Sequence, residues 1–327
     1  MPRLRRSRIA APGVRRVRRG RGFAYLGHDG SPIVDGALLE RCAALAIPPA
    51  WTDVWICPYD NGHIQATGLD AAGRRQYLYH EVWRAQKDRV KFDRMLELAA
   101  AIGPARRSVT RDLAADAITR ERIHAAAFRM LDAGSLRMGS DCYSEEHGSY
   151  GLSTLLCAHV RVLDGRAVRL RFPAKSGQRW ESEIVDPALA PLIAELASRG
   201  RRARLLAWPD ASRGRLRWRP LRPEDINADI RARAGGEFSA KDFRTLRGTS
   251  AAAASLTRTG PASTVRGRRA AIALAMRDAA EVLGNTPAIA RASYVDPRII
   301  DRYERGQVLE LPRGRTVERA LLELIDA

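Results

Sequence analysis

Lysine is almost missing from this chain. Of 56 lysine and arginine residues, only Lys87, Lys91, Lys175 and Lys241 are lysine. Plain charge is supplied by arginine, so each retained lysine raises a chemical question: lysine can give up a proton in a site, whereas arginine effectively cannot. Lys87 and Lys91 read as ordinary solvated helix charges. Lys175 stands out, in Phe172-Pro-Ala-Lys175-Ser-Gly177 just after a predicted strand. Cysteine is nearly as scarce. Cys42, Cys57, Cys142 and Cys157 form no CxxC and meet no histidine cluster, which excludes the usual zinc patterns and leaves reduced thiols as the reading. No apolar run is long enough to span a bilayer. The first 21 residues contain no acid and no signal-peptide apolar core; they read as a flexible basic arm that meets DNA backbone, or as a solvated tail.

What is present is positive charge on an ordinary folded composition. The 327 residues are 45% hydrophobic and 28% charged, with a formal net charge of +19. That length suggests two domains, and that excess points to a polyanionic partner, most often nucleic acid. Residues 22–90 carry short strand-like pieces (Gly22–Leu26, Asp53–Cys57, His63–Thr67) around one helix at 36–46, a small α+β domain. A helical stretch from Glu81 to about Ala101 leads into residues 91–327. There the pattern predicts helices at 109–118, 119–133, 187–198, 223–233, 239–256, 263–283 and 314–326, with Thr119 and Ser239 as starting caps. Strands at 158–163 and 167–172 flank Asp164-Gly165, a strong hairpin signal, and 179–184 reads as a third. The fold class expected is α+β: a strand-rich N-terminal domain and a larger, mainly helical domain holding a three-stranded sheet. Lys175 falls on the connection between the second and third strands.

Chemistry on a phosphodiester needs an in-line nucleophile, positive donors for the nonbridging oxygens and a proton for the leaving oxygen. No carboxylate cluster suited to Mg²⁺ is evident, although such a site can assemble from distant residues; the metal-free solution uses arginines, a lysine and a covalent nucleophile. Four segments fit it, namely Leu136-Arg137-Met-Gly139, the hairpin Lys175, Lys241-Asp-Phe-Arg244-Thr245, and Leu283-Gly-Asn285-Thr-Pro287 followed by Ser293-Tyr294. Tyr303 reads as structural.

In this order the set resembles the type IB DNA topoisomerases of the poxvirus-like bacterial group. The resemblance runs from about Arg19 to Arg305 and includes Arg75-Gln-Tyr77-Leu-Tyr79-His80 and Ile47-Pro-Pro-Ala-Trp-Thr-Asp-Val-Trp-Ile56. It implies that Tyr294 is the nucleophile and forms a 3′-phosphotyrosine. Arg137 and Arg244 would brace the nonbridging oxygens, Asn285 would donate to them, and Lys175 would protonate the departing 5′ oxygen. It also implies duplex DNA contacts from Gln76, Tyr77, Tyr79, Tyr143 and Lys241, although Tyr77 and Tyr79 on one strand face could include a merely packed ring. A monomeric, two-domain clamp without ATP, metal or other cofactor follows, in the cytoplasm on the nucleoid, without membrane or obligate protein partner. Two departures matter. Asn285 stands where poxvirus enzymes carry histidine, so hydrogen bonding replaces charge. His147 stands where many relatives have asparagine, and takes no role. The rival readings are a tyrosine recombinase, which usually carries His-x-x-Arg where this chain has Lys241-Asp-Phe-Arg244, and a noncatalytic basic DNA-packaging or RNA-binding protein.

Overall fold

The computed structural model describes residues 3–212 and 214–326, apart from the side chain of Ser176. The chain divides into two compact units, Met1–Val90 and Lys91–Ala327.

The first unit is a five-stranded antiparallel sheet with one helix against it. Its elements are β1 (Val14–Arg19), β2 (Gly22–Leu26), α1 (Gly36–Ala44), β3 (Thr52–Ile56), β4 (Ile64–Leu69) and β5 (Arg75–Tyr79), in sheet order β2-β1-β3-β4-β5. Asp35 caps α1 by accepting from the backbone N–H of Ala37 at 3.0 Å. Val14, Cys42, Ile47, Val54, Ile56 and Ala66 form the core.

The flexibility expected of the basic arm is corrected here. Residues 14–19 are a strand paired on both sides, and residues 1 and 2 lie outside the described residues. The reason is Arg16, which points inward and is only 8% exposed. Its guanidinium donates to the carbonyls of Ile47 (2.7 Å), Pro48 and Trp51 (both 2.9 Å) and lies 4.1 Å from the Phe23 ring centroid. Burial lowers its pKa. Here an arginine does interior work that its charge alone does not announce. Upstream, the backbone N–H groups of Arg5 and His63 donate to Asn61 O and Arg5 O, both at 2.9 Å, and Ser7 Oγ donates to Ile64 O. This segment too is bonded into the unit.

Helix α2 (Glu81–Leu113) runs unbroken where the sequence predicts two pieces. Pro104 removes one helical hydrogen bond. Its ring normally clashes with the Cβ of the preceding residue, but that residue is Gly103. The second unit's stretch of the helix buries Phe92, Met95, Leu98, Ala99, Ile102, Ala105, Val109 and Leu113 at helical spacing, and that packing outweighs the local break.

The remainder of the second unit comprises α3 (Arg120–Gly134), α4 (Asp141–His147), β6 (Val160–Leu163), β7 (Ala167–Pro173), β8 (Arg179–Val185), α5 (Leu189–Ala197), β9 (Ala207–Asp210), β10 (Arg217–Pro220), α6 (Pro223–Ala234), α7 (Ala240–Thr259), α8 (Val265–Leu283), α9 (Pro287–Ser293), α10 (Arg298–Glu304) and α11 (Val317–Asp326). Strands β6, β7 and β8 form an antiparallel sheet in that order. Asp164 and Gly165 both take positive φ (48° and 65°), the backbone a two-residue hairpin of this twist demands. Val168, Leu170 and Phe172 face the core, while Arg169 and Arg171 on the other face pair with Glu183 (3.2 Å) and Glu181 (3.4 Å) across the sheet. Phe128 of α3 meets Phe243 of α7 edge to face at 5.0 Å. Within the alanine run, Ala252 and Ala253 are buried. Tyr303 is 1% exposed and donates its hydroxyl to Gly260 O at 2.9 Å. Short elements α4, α9, α10, β9 and β10 are absent from the sequence-based expectation. They span too few residues to show a clear period. Among the described residues no helix is long and apolar enough to cross a membrane.

Candidate active site

Helix α7 supplies the centre of the site. Its start is fixed by Asp242, a fully buried carboxylate that accepts from both the backbone N–H and the hydroxyl of Ser239 at 2.9 Å. The cap expected at Ser239 is therefore built from Asp242, with the hydroxyl donating. Arg94 of α2 completes the arrangement with a 2.8 Å ion pair to Asp242. Lys241 is exposed on the same turn.

Arg244, one turn on, is 3% exposed. It donates to Ser135 O at the C-cap of α3 and to Leu283 O, at 2.9 Å, at the end of α8. Both acceptors are helix C-termini, whose orphan carbonyls and negative dipole ends favour a cation. A guanidinium has five N–H donors, and the Nε–H of Arg244 is buried without a partner among the described residues.

The Arg137 segment is held by close backbone packing. Leu152 N donates to Arg137 O and Ser153 N to Met138 O, both at 2.8 Å. A Cβ on Gly151 would lie 2.5 Å from Gly139 N, so glycine is needed for this approach. Arg137 Nη2 donates to Asn285 Oδ1. Asn285 follows Gly284, which closes α8 at φ 56°, and its buried Nδ2 has no partner.

Tyr294 is reached through α9, which Thr286 and Pro287 start. Its carbonyl accepts from Thr249 Oγ1 at 3.0 Å, and that oxygen accepts from Asp296 N at 3.1 Å. Asp296, fully buried, pairs with Arg298 at 2.8 Å, which pairs with Asp93 of α2 at 2.9 Å. The Arg244 guanidinium lies 5.0 Å from the Tyr294 ring centroid.

Charge dominates this cluster. Burial raises the pKa of the Tyr294 phenol, but the charge and hydrogen bonding of Arg244, then Arg137 and Lys241, outweigh it and lower it below its usual value of 10.0. Burial, then Arg137, lower that of Arg244, although Tyr294 opposes the change. Among the described residues neither Arg137 nor Arg244 pairs with a carboxylate. Two buried donors without a partner among the described residues thus meet a phenol of lowered pKa in a cationic site.

The structure brings Arg137, Arg244, Asn285 and Tyr294 together, and the charge of Lys241 adds to the lowering of the Tyr294 pKa. Lys175 is exposed on a 3₁₀ turn, Lys175–Gly177, between β7 and β8, and no hydrogen bond or ion pair ties it to those four among the described residues. In the first unit, Gln76 Nε2 donates to Asp70 Oδ2 at 2.8 Å. Tyr77 and Tyr79 share one face of β5, 40% and 39% exposed, with rings 6.0 Å apart and 14° from parallel. Neither ring is packed in the core. Tyr143 is 49% exposed on α4, and exposed His147 ends that helix. Asp93, Arg94, Gly248, Thr249, Asp296 and Arg298 were not singled out from the sequence. Asp242 and Asp296 flank Arg244 and Tyr294 by two residues, but the α2 residues tied to them are distant in sequence: Arg94 lies 148 residues from Asp242, and Asp93 lies 205 residues from Arg298, the partner of Asp296.

An electropositive cluster around one tyrosine, its two arginines without a carboxylate partner among the described residues, is the equipment of a phosphodiester-transferring protein. Comparison with known proteins makes this specific. Residues 80–307 match the family model of the eukaryotic DNA topoisomerase I catalytic core, and residues 22–70 that of the bacterial DNA topoisomerase IB N-terminal domain. The chain is 30% identical to DNA topoisomerase 1B of Acanthamoeba polyphaga mimivirus, over 90% of this chain and 88% of that one. It is 26% identical to DNA topoisomerase 1 of Mycosarcoma maydis over 57% of this chain and 18% of that longer protein. The chain belongs to the type IB DNA topoisomerases.

Proposed function

We propose that this topoisomerase relaxes supercoiled duplex DNA through a 3′-phosphotyrosine at Tyr294, without ATP or a required metal. Tyr294 gives up its phenolic proton to water, its oxygen attacks phosphorus, and the bond from phosphorus to the 5′ oxygen breaks. The leaving electron pair stays on that oxygen, and the Lys175 ammonium protonates it. Arg137, Arg244 and Asn285 offset the charge that builds on the nonbridging oxygens; losing one such donor typically costs about 10²–10³-fold in rate. The held strand end can rotate about the intact strand before the 5′ hydroxyl, deprotonated by Lys175, reverses the steps. Bond energy is kept in the phosphotyrosine, so no external energy source is needed. Gln76, Tyr77 and Tyr79 in one unit, with Tyr143 and Lys241 in the other, are the proposed duplex contacts. A monomer suffices because one site cuts one strand, and the net charge of +19 suits residence on the nucleoid.

The observation that carries this reading is the buried Arg244 beside Tyr294, with its unpaired Nε–H and no carboxylate partner among the described residues. The test is relaxation of negatively and positively supercoiled plasmid in EDTA without ATP. Relaxation with the wild type, and neither relaxation nor covalent adduct with Tyr294→Phe, is expected. An adduct that persists in that variant rules out the nucleophile, and no relaxation by the wild type rules out the activity.

A further inference from the structure

We propose that Trp180 is a positioning residue for the leaving-group proton transfer: seated on Gly284, it fixes the hairpin whose turn carries Lys175. The inference rests on the reading of Lys175 as proton donor. Among the described residues Lys175 has no polar partner to aim it, so the seat of the hairpin must set its direction. The last cross-strand pair with both side chains buried before the turn is Phe172 and Trp180, their rings 6.3 Å apart and 23° from parallel. Above this pair Ala174 N closes the turn on Gln178 O at 2.7 Å, and Pro173, Lys175, Gln178 and Arg179 are exposed.

The opposite side of the indole lies on the end of α8. A Cβ built on Gly284 would fall 2.5 Å from Trp180 Cζ3, so the ring occupies the space that any other residue at 284 would fill. The indole N–H donates to Ser182 Oγ at 2.7 Å, which fixes the ring's rotation. Gly284 is directly followed by Asn285. One aromatic ring therefore references the proton donor's hairpin to the turn that holds a phosphate donor. Trp180 also lines a cleft of about 260 Å³, so removing the indole leaves room for the hairpin to shift instead of keeping it in place.

The test compares single-turnover cleavage of two duplexes, one with the natural 5′ oxygen at the scissile phosphate and one with sulfur there. Sulfur departs as a thiolate and needs no proton. Trp180→Ala should cleave the oxygen substrate about 100-fold more slowly, the scale of a misplacement of roughly 1 Å, and the sulfur substrate at near the wild-type rate. Trp180→Phe, which keeps an aromatic ring on Gly284, should recover most of the oxygen rate. Equal slowing on both substrates would mark a purely structural role and overturn the proposal. Lys175→Ala runs alongside. If sulfur rescues it but not Trp180→Ala, the positioning role fails and the donor stands; if sulfur does not rescue it, both fall.

Discussion

Gly248 offers a test in which two physical effects oppose each other. It lies inside α7, where alanine would ordinarily stabilise a helix by about 1 kcal/mol over glycine. Its missing Cβ, however, is where the nucleophile segment comes closest. A methyl built there would stand 2.8 Å from Leu283 Cδ1 and 3.2 Å from both Cβ and the carbonyl oxygen of Tyr294. The leucine methyl ends a flexible side chain and can rotate away. The Tyr294 atoms have less freedom, since the neighbouring Thr249 binds that same carbonyl. Overpacking of this kind typically costs about 1–3 kcal/mol. Set against the helix gain, Gly248→Ala should be between neutral and about 2 kcal/mol less stable in urea unfolding. Cleavage should suffer more, because the contact makes Tyr294 give by a few tenths of an ångström, and a misplacement of roughly 1 Å already costs about 100-fold. Single-turnover cleavage of a duplex, measured beside duplex affinity, separates the effects: binding should hold while the chemical step falls. Gly36→Ala, where the added methyl meets open space in α1, serves as control and should change neither. Wild-type cleavage by Gly248→Ala would refute the claim that this contact sets the tyrosine's position.

Asp242→Asn should weaken both the start of α7 and its tie to Arg94, losing about 1–3 kcal/mol by urea unfolding, with cleavage reduced more than binding; unchanged stability would refute the anchoring role. Glu318→Gln tests a pH-dependent tether. Burial raises the Glu318 pKa, but the hydrogen bond and charge of Arg106, 2.6 Å away, outweigh it and lower the pKa below 4.5. A depressed carboxyl pKa contributes stability above its unfolded value that is lost as pH falls through the folded one. The gap between wild type and Glu318→Gln in unfolding experiments should therefore be full above pH 4.5 and close as the solution is acidified below it; a gap independent of pH refutes the pairing. Lys175→Arg should keep duplex affinity and charge but lose much of the cleavage rate, since arginine does not release a proton; undiminished cleavage would remove Lys175 from proton transfer.

How far the sequence could be read depended on how local each cause was. Asp164-Gly165 between alternating residues specifies a hairpin from neighbours alone, and the hairpin is there. Gly103-Pro104 also carries a local signal, a helix break, yet α2 continues because its buried stripe lies outside that signal. Val14–Arg19 looked like a solvated arm because the carbonyls that hold Arg16 come from residues 47–51. The site divides in the same way. Motif order assembled Arg137, Arg244, Asn285 and Tyr294, which meet in the structure, whereas Asp93 and Arg94 carry no mark of their partners at Arg298 and Asp242. Spacing also could not reveal that Lys175 would stand without a polar partner among the described residues, or that the Trp180 ring lies against Gly284.

The scarcity of lysine takes on a structural meaning from this arrangement. Arg244 reaches two helix ends at once and still keeps an unpaired N–H beside Tyr294. A planar fork of five donors can do that; a compact ammonium with three donors cannot span the same acceptors. The same fork lets Arg16 serve three backbone carbonyls in the first unit. Arginine is therefore suited to the fixed, buried positions, where a permanent charge and several directed bonds are needed. Lys175 occupies the opposite setting: it is exposed, on a turn, and proposed to exchange a proton in every cycle. At Arg16, Arg244 and Lys175 the residue type matches whether the charge must stay or leave.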